Sequence, residues 1–314
     1  MSLFDDNPAD PGDHGAIPPS WAEPLPVEPR PAEQPAAPLS GDPITYAASI
    51  SSTVPPPRHA LPEDLRISWS WPHFAFFVFF TLISFFVVQT TLALYYAPHQ
   101  TLTPKQLEQY LLNKPQFLFG SNLLWYALIL LFLYVTLAVL RDLPFWSSLG
   151  WKKLRSNLAD GKANPWAYFF SGCGLAVFVF IASSQVHTSD KMPIEEIIKN
   201  RSSAMLLMAM AVLVAPLVEE TVFRGYLYPL FAKSFGIVPG ILLTGVLFGL
   251  MHGAQLGWTW GVVALLMLVG VIFTFARAHT GTVLASFLLH LGYNSMIAFA
   301  TVVGTHGFTK IPTH

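Results

Sequence analysis

Two adjacent glutamates, Glu219 and Glu220, interrupt the apolar run AMLLMAMAVLVAPLVEETVFRGYLYPLF at 204–231. A carboxylate at membrane depth costs roughly 2.5–3.5 kcal/mol or more, so two in succession must be paired, hydrated or catalytic. Glu220 and Arg224, Phe248 and His252, and His290 and Asn294 are each separated by four residues. That spacing sets both side chains of a pair on one helix face. Glu220 and Arg224 are ordered for an ion pair along the helix, while Glu219 points about 100° away and lacks a partner in its own helix. Glu219 is therefore the candidate for chemistry, with Glu220 and Arg224 as its support. A carboxylate withdrawn from water is a better proton acceptor near neutral pH, which suits a general base acting on water. Imidazole and amide groups beside it can donate to a developing oxyanion. One glutamate and two histidines could alternatively bind zinc; the short HExxH motif is absent, so such a site would be built across helices. Amide hydrolysis within or at the edge of a membrane fits either version.

These residues need helices to carry them, and the composition supplies them. Of the 314 residues 53% are hydrophobic and 11% charged, far from the roughly 25% charged of a soluble domain. About 20 apolar residues cross a bilayer as a helix. Spans are expected near 73–96, 117–140, 166–186, 204–233, 237–253, 257–278 and 282–303, the 237–253 span being short. Residues 187–203 are a candidate interfacial helix. If the turn between the fourth and fifth spans falls at Ser234 to Gly236, Glu219 and His252 both lie about 24 Å from it, and Asn294 about 21 Å from the turn near Thr280. His290 would then sit one turn below Asn294, and the four groups could share a layer. Pro216 removes a backbone hydrogen bond three residues before Glu219 and is expected to open the helix there. Gly245, Gly249 and Gly253 form a small-residue face for close helix approach, with Gly292 acting similarly. Phe248 is read as packing. His73, His99, His187, His279 and His306 carry no assignment.

The net charge of −1 hides an asymmetry. Residues 1–66 hold 10 of the 18 acidic and 3 of the 17 basic groups, with 15 of the 26 prolines; the remaining 8 acidic and 14 basic groups give 67–314 a net charge of +6. Such a tail has too little contiguous apolar surface to fold and is expected to be disordered or extended. The single cysteine, Cys173, precludes an intrachain disulfide and a cysteine-rich metal site. No cleavable signal pattern precedes the first span, which is expected to act as its own insertion signal. Arg141, Lys152, Lys153, Arg155 and Lys162 follow the second span, against Lys105 and Lys114 after the first, so the former loop and the tail are expected to be cytoplasmic. No nucleic-acid partner is expected. The organisation is thus a tail (1–66), two spans with a cytoplasmic loop (67–165), a core (166–303) and a short C-terminal tail (304–314).

The order EExxxR (Glu219, Glu220, Arg224), FxxxH (Phe248, His252) and HxxxN (His290, Asn294) on apolar helices resembles the CPBP or Abi family, intramembrane proteases related to the type II CAAX prenyl endopeptidases. The resemblance covers roughly residues 166–303. It implies an all-helical transmembrane bundle of about seven or eight helices with a conical intramembrane cavity. It further implies that Glu219 activates the attacking water with help from His252, that His290 and Asn294 stabilise the oxyanion, and that Glu220 and Arg224 organise the site. A glutamate-type mechanism without catalytic metal is favoured, with zinc as the alternative cofactor. The substrate would be a membrane-associated protein or peptide; a prenylated one is not required by the resemblance, and a bacterial inner membrane is the natural setting. Two other classes compete. A proton-coupled transporter would favour inverted repeats, of which the sequence shows none, and a non-catalytic scaffold would place the function in the tail.

Overall fold

The computed structural model describes residues 62–154, 164–186 and 201–308. The chain divides into units 1–58 and 59–314, and all described residues lie in the second. They form nine helices and a short 3-10 turn (Glu63–Leu65), with no strand among the described residues. In order these are α1 (Trp71–Tyr96), α2 (Pro104–Leu112), α3 (Pro115–Val139), α4 (Phe145–Ser148), α5 (Pro165–Ser183), α6 (Arg201–Phe235), α7 (Ile237–Met251), α8 (Trp260–Thr280) and α9 (Val283–Gly304). The architecture is an all-α, multi-pass membrane bundle. Helices α1, α3, α5, α6, α8 and α9 are long and apolar enough to cross a bilayer. Helix α7, with 15 residues, spans only about 22 Å against the roughly 30 Å of a hydrocarbon core, so it is the short span expected at 237–253. The candidate interfacial helix lies almost wholly outside the described residues.

Local chemistry sets the helix starts. Proline opens α1, α2, α3 and α5, where its missing N–H costs nothing. Thr103 and Gln106 form a capping box on α2, and the Thr282 side chain accepts from Leu284 N at the start of α9. The lipid face is hydrocarbon and aromatic: Phe76, Phe79, Leu82 and Phe86 of α1 are exposed, as a helix must be where no water can satisfy polar groups.

Helix α6 is not a regular α-helix. Two wide π-type segments, Met210–Val214 and Thr221–Leu227, flank the α-helical turn Ala215–Glu220. A proline follows each closely, Pro216 and Pro229. A proline ring cannot donate and crowds the preceding turn, and widening that turn relieves the crowding. The opening expected at Pro216 therefore takes the form of a π-bulge. Ala215 N–H bonds Met210 O instead of Ala211 O, and Pro216 has no N–H, so the Ala211 carbonyl is left without a helical donor.

Helices α5 and α9 pack closely through Gly172 and Gly292: a Cβ at Gly292 would strike the Phe169 carbonyl, and one at Gly172 the Leu289 carbonyl. Gly245 and Gly249 do the same for α7 against Val271 and Met267 of α8. Backbone approach of this kind substitutes for the hydrophobic force that lipid cannot supply between helices. Gly253 instead faces the ring of Trp258 in the loop after α7.

Residues 62–69, the end of the segment assigned to the tail and the start of the body, are pinned to the bundle. Leu65 and Trp69 are buried. Asp64 Oδ2 pairs with Arg277 Nη1 at 2.8 Å. Trp69 donates to the Tyr226 carbonyl at 3.1 Å and stacks on its ring. His73, which carried no expectation, meets the Tyr226 hydroxyl at 2.6 Å and so ties the first turn of α1 to α6.

Candidate active site

The buried end of the site is an ion pair sealed by aromatic rings. Glu220 and Arg224 both have no exposed side-chain surface, and Arg224 Nη1 donates to Glu220 Oε1 at 2.8 Å. Arg224 Nη2 donates to the Gly270 carbonyl (2.9 Å) and Nε to Thr274 Oγ1 (3.3 Å), which fixes α6 against α8. Its guanidinium lies over the ring of Phe248, 4.5 Å from the centroid, an arrangement worth most when desolvated. Phe248 is thus packing, as read from the sequence, but packing that covers a charge.

His290 joins this pair to Glu219. Its Nδ1 donates to Glu220 Oε1 at 3.0 Å, since an ionised carboxylate only accepts. Nε2 is then the nitrogen presented to Glu219, whose Oε2 lies 3.9 Å away. Glu219 itself is 16% exposed, in contrast to Glu220. Its other oxygen, Oε1, accepts from the hydroxyl of Tyr126 on α3 at 3.3 Å. A separation of 3.9 Å is too long for a direct hydrogen bond.

His252 and Asn294 border the same layer. His252 caps the C-terminus of α7, and its Nδ1 donates to the Phe248 carbonyl at 2.7 Å; in the neutral ring this leaves the lone pair on Nε2. The His252 ring lies 4.8 Å from that of Phe248, which in turn meets His290 edge-on at 5.7 Å. Asn294 Nδ2 donates to Ala211 O at 2.7 Å, the carbonyl that the π-bulge before Pro216 leaves unserved. Asparagine has two N–H donors, so the second is not spent by that bond.

Among the described residues no three His, Cys, Asp or Glu side chains converge as a metal-binding group.

Sequence reading missed three parts of the site: Tyr126, the Gly270 and Thr274 acceptors of Arg224, and Trp151, which donates to Thr221 Oγ1 at 3.1 Å beside Glu220. Only Tyr126 had a local signal. Asn122 and Tyr126 form an i,i+4 polar stripe in an otherwise apolar span, and a buried tyrosine hydroxyl needs a partner.

Residues 201–296 match the family model described as Type II CAAX prenyl endopeptidase Rce1-like. No curated protein and no solved structure matches the chain. The segment matched contains all seven of the motif residues from Glu219 to Asn294 and lies within the all-helical membrane bundle. Over residues 201–296 the chain is similar to the Rce1-like type II CAAX prenyl endopeptidases.

Proposed function

We propose that the protein is a glutamate-type endopeptidase that hydrolyses a peptide bond of a membrane-associated protein or peptide. The observation that carries this reading is the division of labour between adjacent carboxylates. Glu220 is buried and neutralised by Arg224, whereas Glu219 is partly exposed and faces His290 Nε2 across 3.9 Å. Glu219 Oε2 takes a proton from water as the water oxygen attacks the scissile carbonyl carbon. The oxyanion so formed receives hydrogen bonds from His290 Nε2–H and the second N–H of Asn294. Glu220 accepts from Nδ1 and holds the imidazole in orientation. Collapse of the tetrahedral species breaks the C–N bond, and the proton held by Glu219 passes to the leaving amine with His252 Nε2 assisting. No metal takes part.

The test is cleavage of a library of membrane-proximal and prenylated peptides by the purified protein in lipid vesicles, with zinc analysis of the same preparation. Cleavage that survives a strong chelator is expected. Stoichiometric tightly bound zinc whose removal abolishes activity would overturn the metal-free mechanism, and a library in which only prenylated members are cut would narrow the substrate to that class.

The setting proposed is a bacterial inner membrane with the N-terminus cytoplasmic, supported by the five basic residues that follow α3 within 141–162. In a membrane-impermeant thiol-labelling experiment on a Cys173→Ser background, Lys105→Cys should react from outside and Lys152→Cys should not. The reverse pattern would invert the topology.

A further inference from the structure

Helices α1 and α3 lie outside the matched segment 201–296, yet α3 supplies a direct contact to the proposed base. We propose that Tyr126 is a positioning residue for Glu219, fixing which carboxylate oxygen faces the reaction. The proposal rests on the reading of Glu219 as the base.

The argument begins with what Glu219 lacks. Its side chain has three rotatable bonds, and Arg224, the cation within reach on its own helix, is taken by Glu220. Without a second anchor the carboxylate would rotate freely, and a misplacement of about 1 Å can cost on the order of 100-fold in rate. Tyr126 supplies that anchor. Its hydroxyl donates to Oε1, which leaves Oε2 as the oxygen nearer His290 Nε2. The two oxygens are thus assigned to α3 and α9, and the one turned to α9 is the one placed to take a proton from water.

Tyr126 is itself held. Its ring stacks on Trp125 at 5.8 Å. Trp125 donates from Nε1 to the Thr81 carbonyl of α1 at 3.1 Å and meets Phe85 edge-on at 5.2 Å. The position of the phenol is thereby set by the α1–α3 pair, and this pair acquires a role in the reaction beyond filling the bundle. A tyrosine serving only its own need for an acceptor would not need such buttressing, nor would its acceptor be the exposed carboxylate of the pair.

The experiment compares full-length wild type, Tyr126→Phe, Glu219→Gln and the double variant in phosphatidylethanolamine/phosphatidylglycerol vesicles, using a peptide the wild type cleaves. Tyr126→Phe should lower kcat by roughly 10- to 100-fold with little change in KM. In the Glu219→Gln background the same change should lower the residual rate no further, which a merely structural role would not produce. Equal loss in both backgrounds, or none in either, overturns the proposal. Infrared difference spectra supply a readout independent of activity: Tyr126→Phe should shift a carboxylate stretching band that vanishes in Glu219→Gln. An unshifted band overturns the proposal whatever the activity. A wild-type rate in Glu219→Gln instead overturns the reading of Glu219 as the base, and the positioning role with it.

Discussion

Glu219→Gln is expected to lower kcat by about 10²- to 10⁴-fold, the range for loss of a positioned general base, while leaving the thermal midpoint close to that of the wild type. Glutamine has nearly the shape of glutamate, and its carbonyl oxygen can still accept from the Tyr126 hydroxyl. It cannot take a proton from water. The stability expectation follows from exposure: Glu219 is partly exposed and stands 3.9 Å from His290 Nε2, a longer and less buried pair than Glu220 with Arg224, so neutralising it costs less than breaking that pair. His290 and Asn294 remain to stabilise the oxyanion, which accounts for a residual rate. A variant that cleaves as fast as the wild type would remove Glu219 from the reaction and leave the adjacent layer as a structural polar cluster. A loss accompanied by unfolding would show that the residue is needed for the bundle instead.

The spans were legible because membrane helices announce themselves as uninterrupted apolar runs, and the expected starts and ends fall close to α1, α3, α5, α6, α8 and α9. The pairs Glu220–Arg224 and Phe248–His252 were legible for a similar reason: four-residue spacing is a local geometric fact of a helix. What one helix offers another was not. The acceptor of Asn294 is the Ala211 carbonyl, free because Ala215 bonds one residue too far back and Pro216 cannot donate; Pro216 signalled an opening there, but not which group on α9 would fill it. Tyr126 meets Glu219 across 93 positions of sequence, a distance that no periodicity encodes. Residues 62–69 escaped for a compositional reason. Leu65, Ile67 and Trp69 alternate with charged and polar residues in a stretch too short to read as an element of its own, yet Leu65 and Trp69 are buried on the bundle. The short 15-residue α7 was visible as such, and its consequence, that His252 sits at a helix end with its ring turned back onto Phe248, came from the structure.

Arg224→Met should be the most destabilising single change in the site. It leaves the Glu220 carboxylate fully buried without its guanidinium, with the His290 Nδ1–H and Ser286 beside it, and removing one member of a buried pair costs about 3–5 kcal/mol. The other two acceptors lose less. Thr274 Oγ1 itself donates to the Gly270 carbonyl at 2.7 Å, so that carbonyl keeps a donor when the guanidinium is gone. The cost is therefore mainly the unpaired charge, and the double variant Glu220→Gln with Arg224→Met should recover much of the lost thermal midpoint, since methionine suits the apolar enclosure of Phe223, Phe248 and Phe273. Activity should not return with stability. His290 would face an amide in place of a carboxylate at Nδ1, and its Nε2 would no longer be held as a donor toward the oxyanion. A double variant as unstable as Arg224→Met alone would assign the energy to the contacts between α6 and α8 instead of to the pair. Arg224→Lys separates these further. A single ammonium cannot reach Glu220, Gly270 and Thr274 with the fixed fork that a guanidinium offers, so it should keep the charge balance, lose the α6–α8 tie, and retain more stability than methionine while falling short of the wild type.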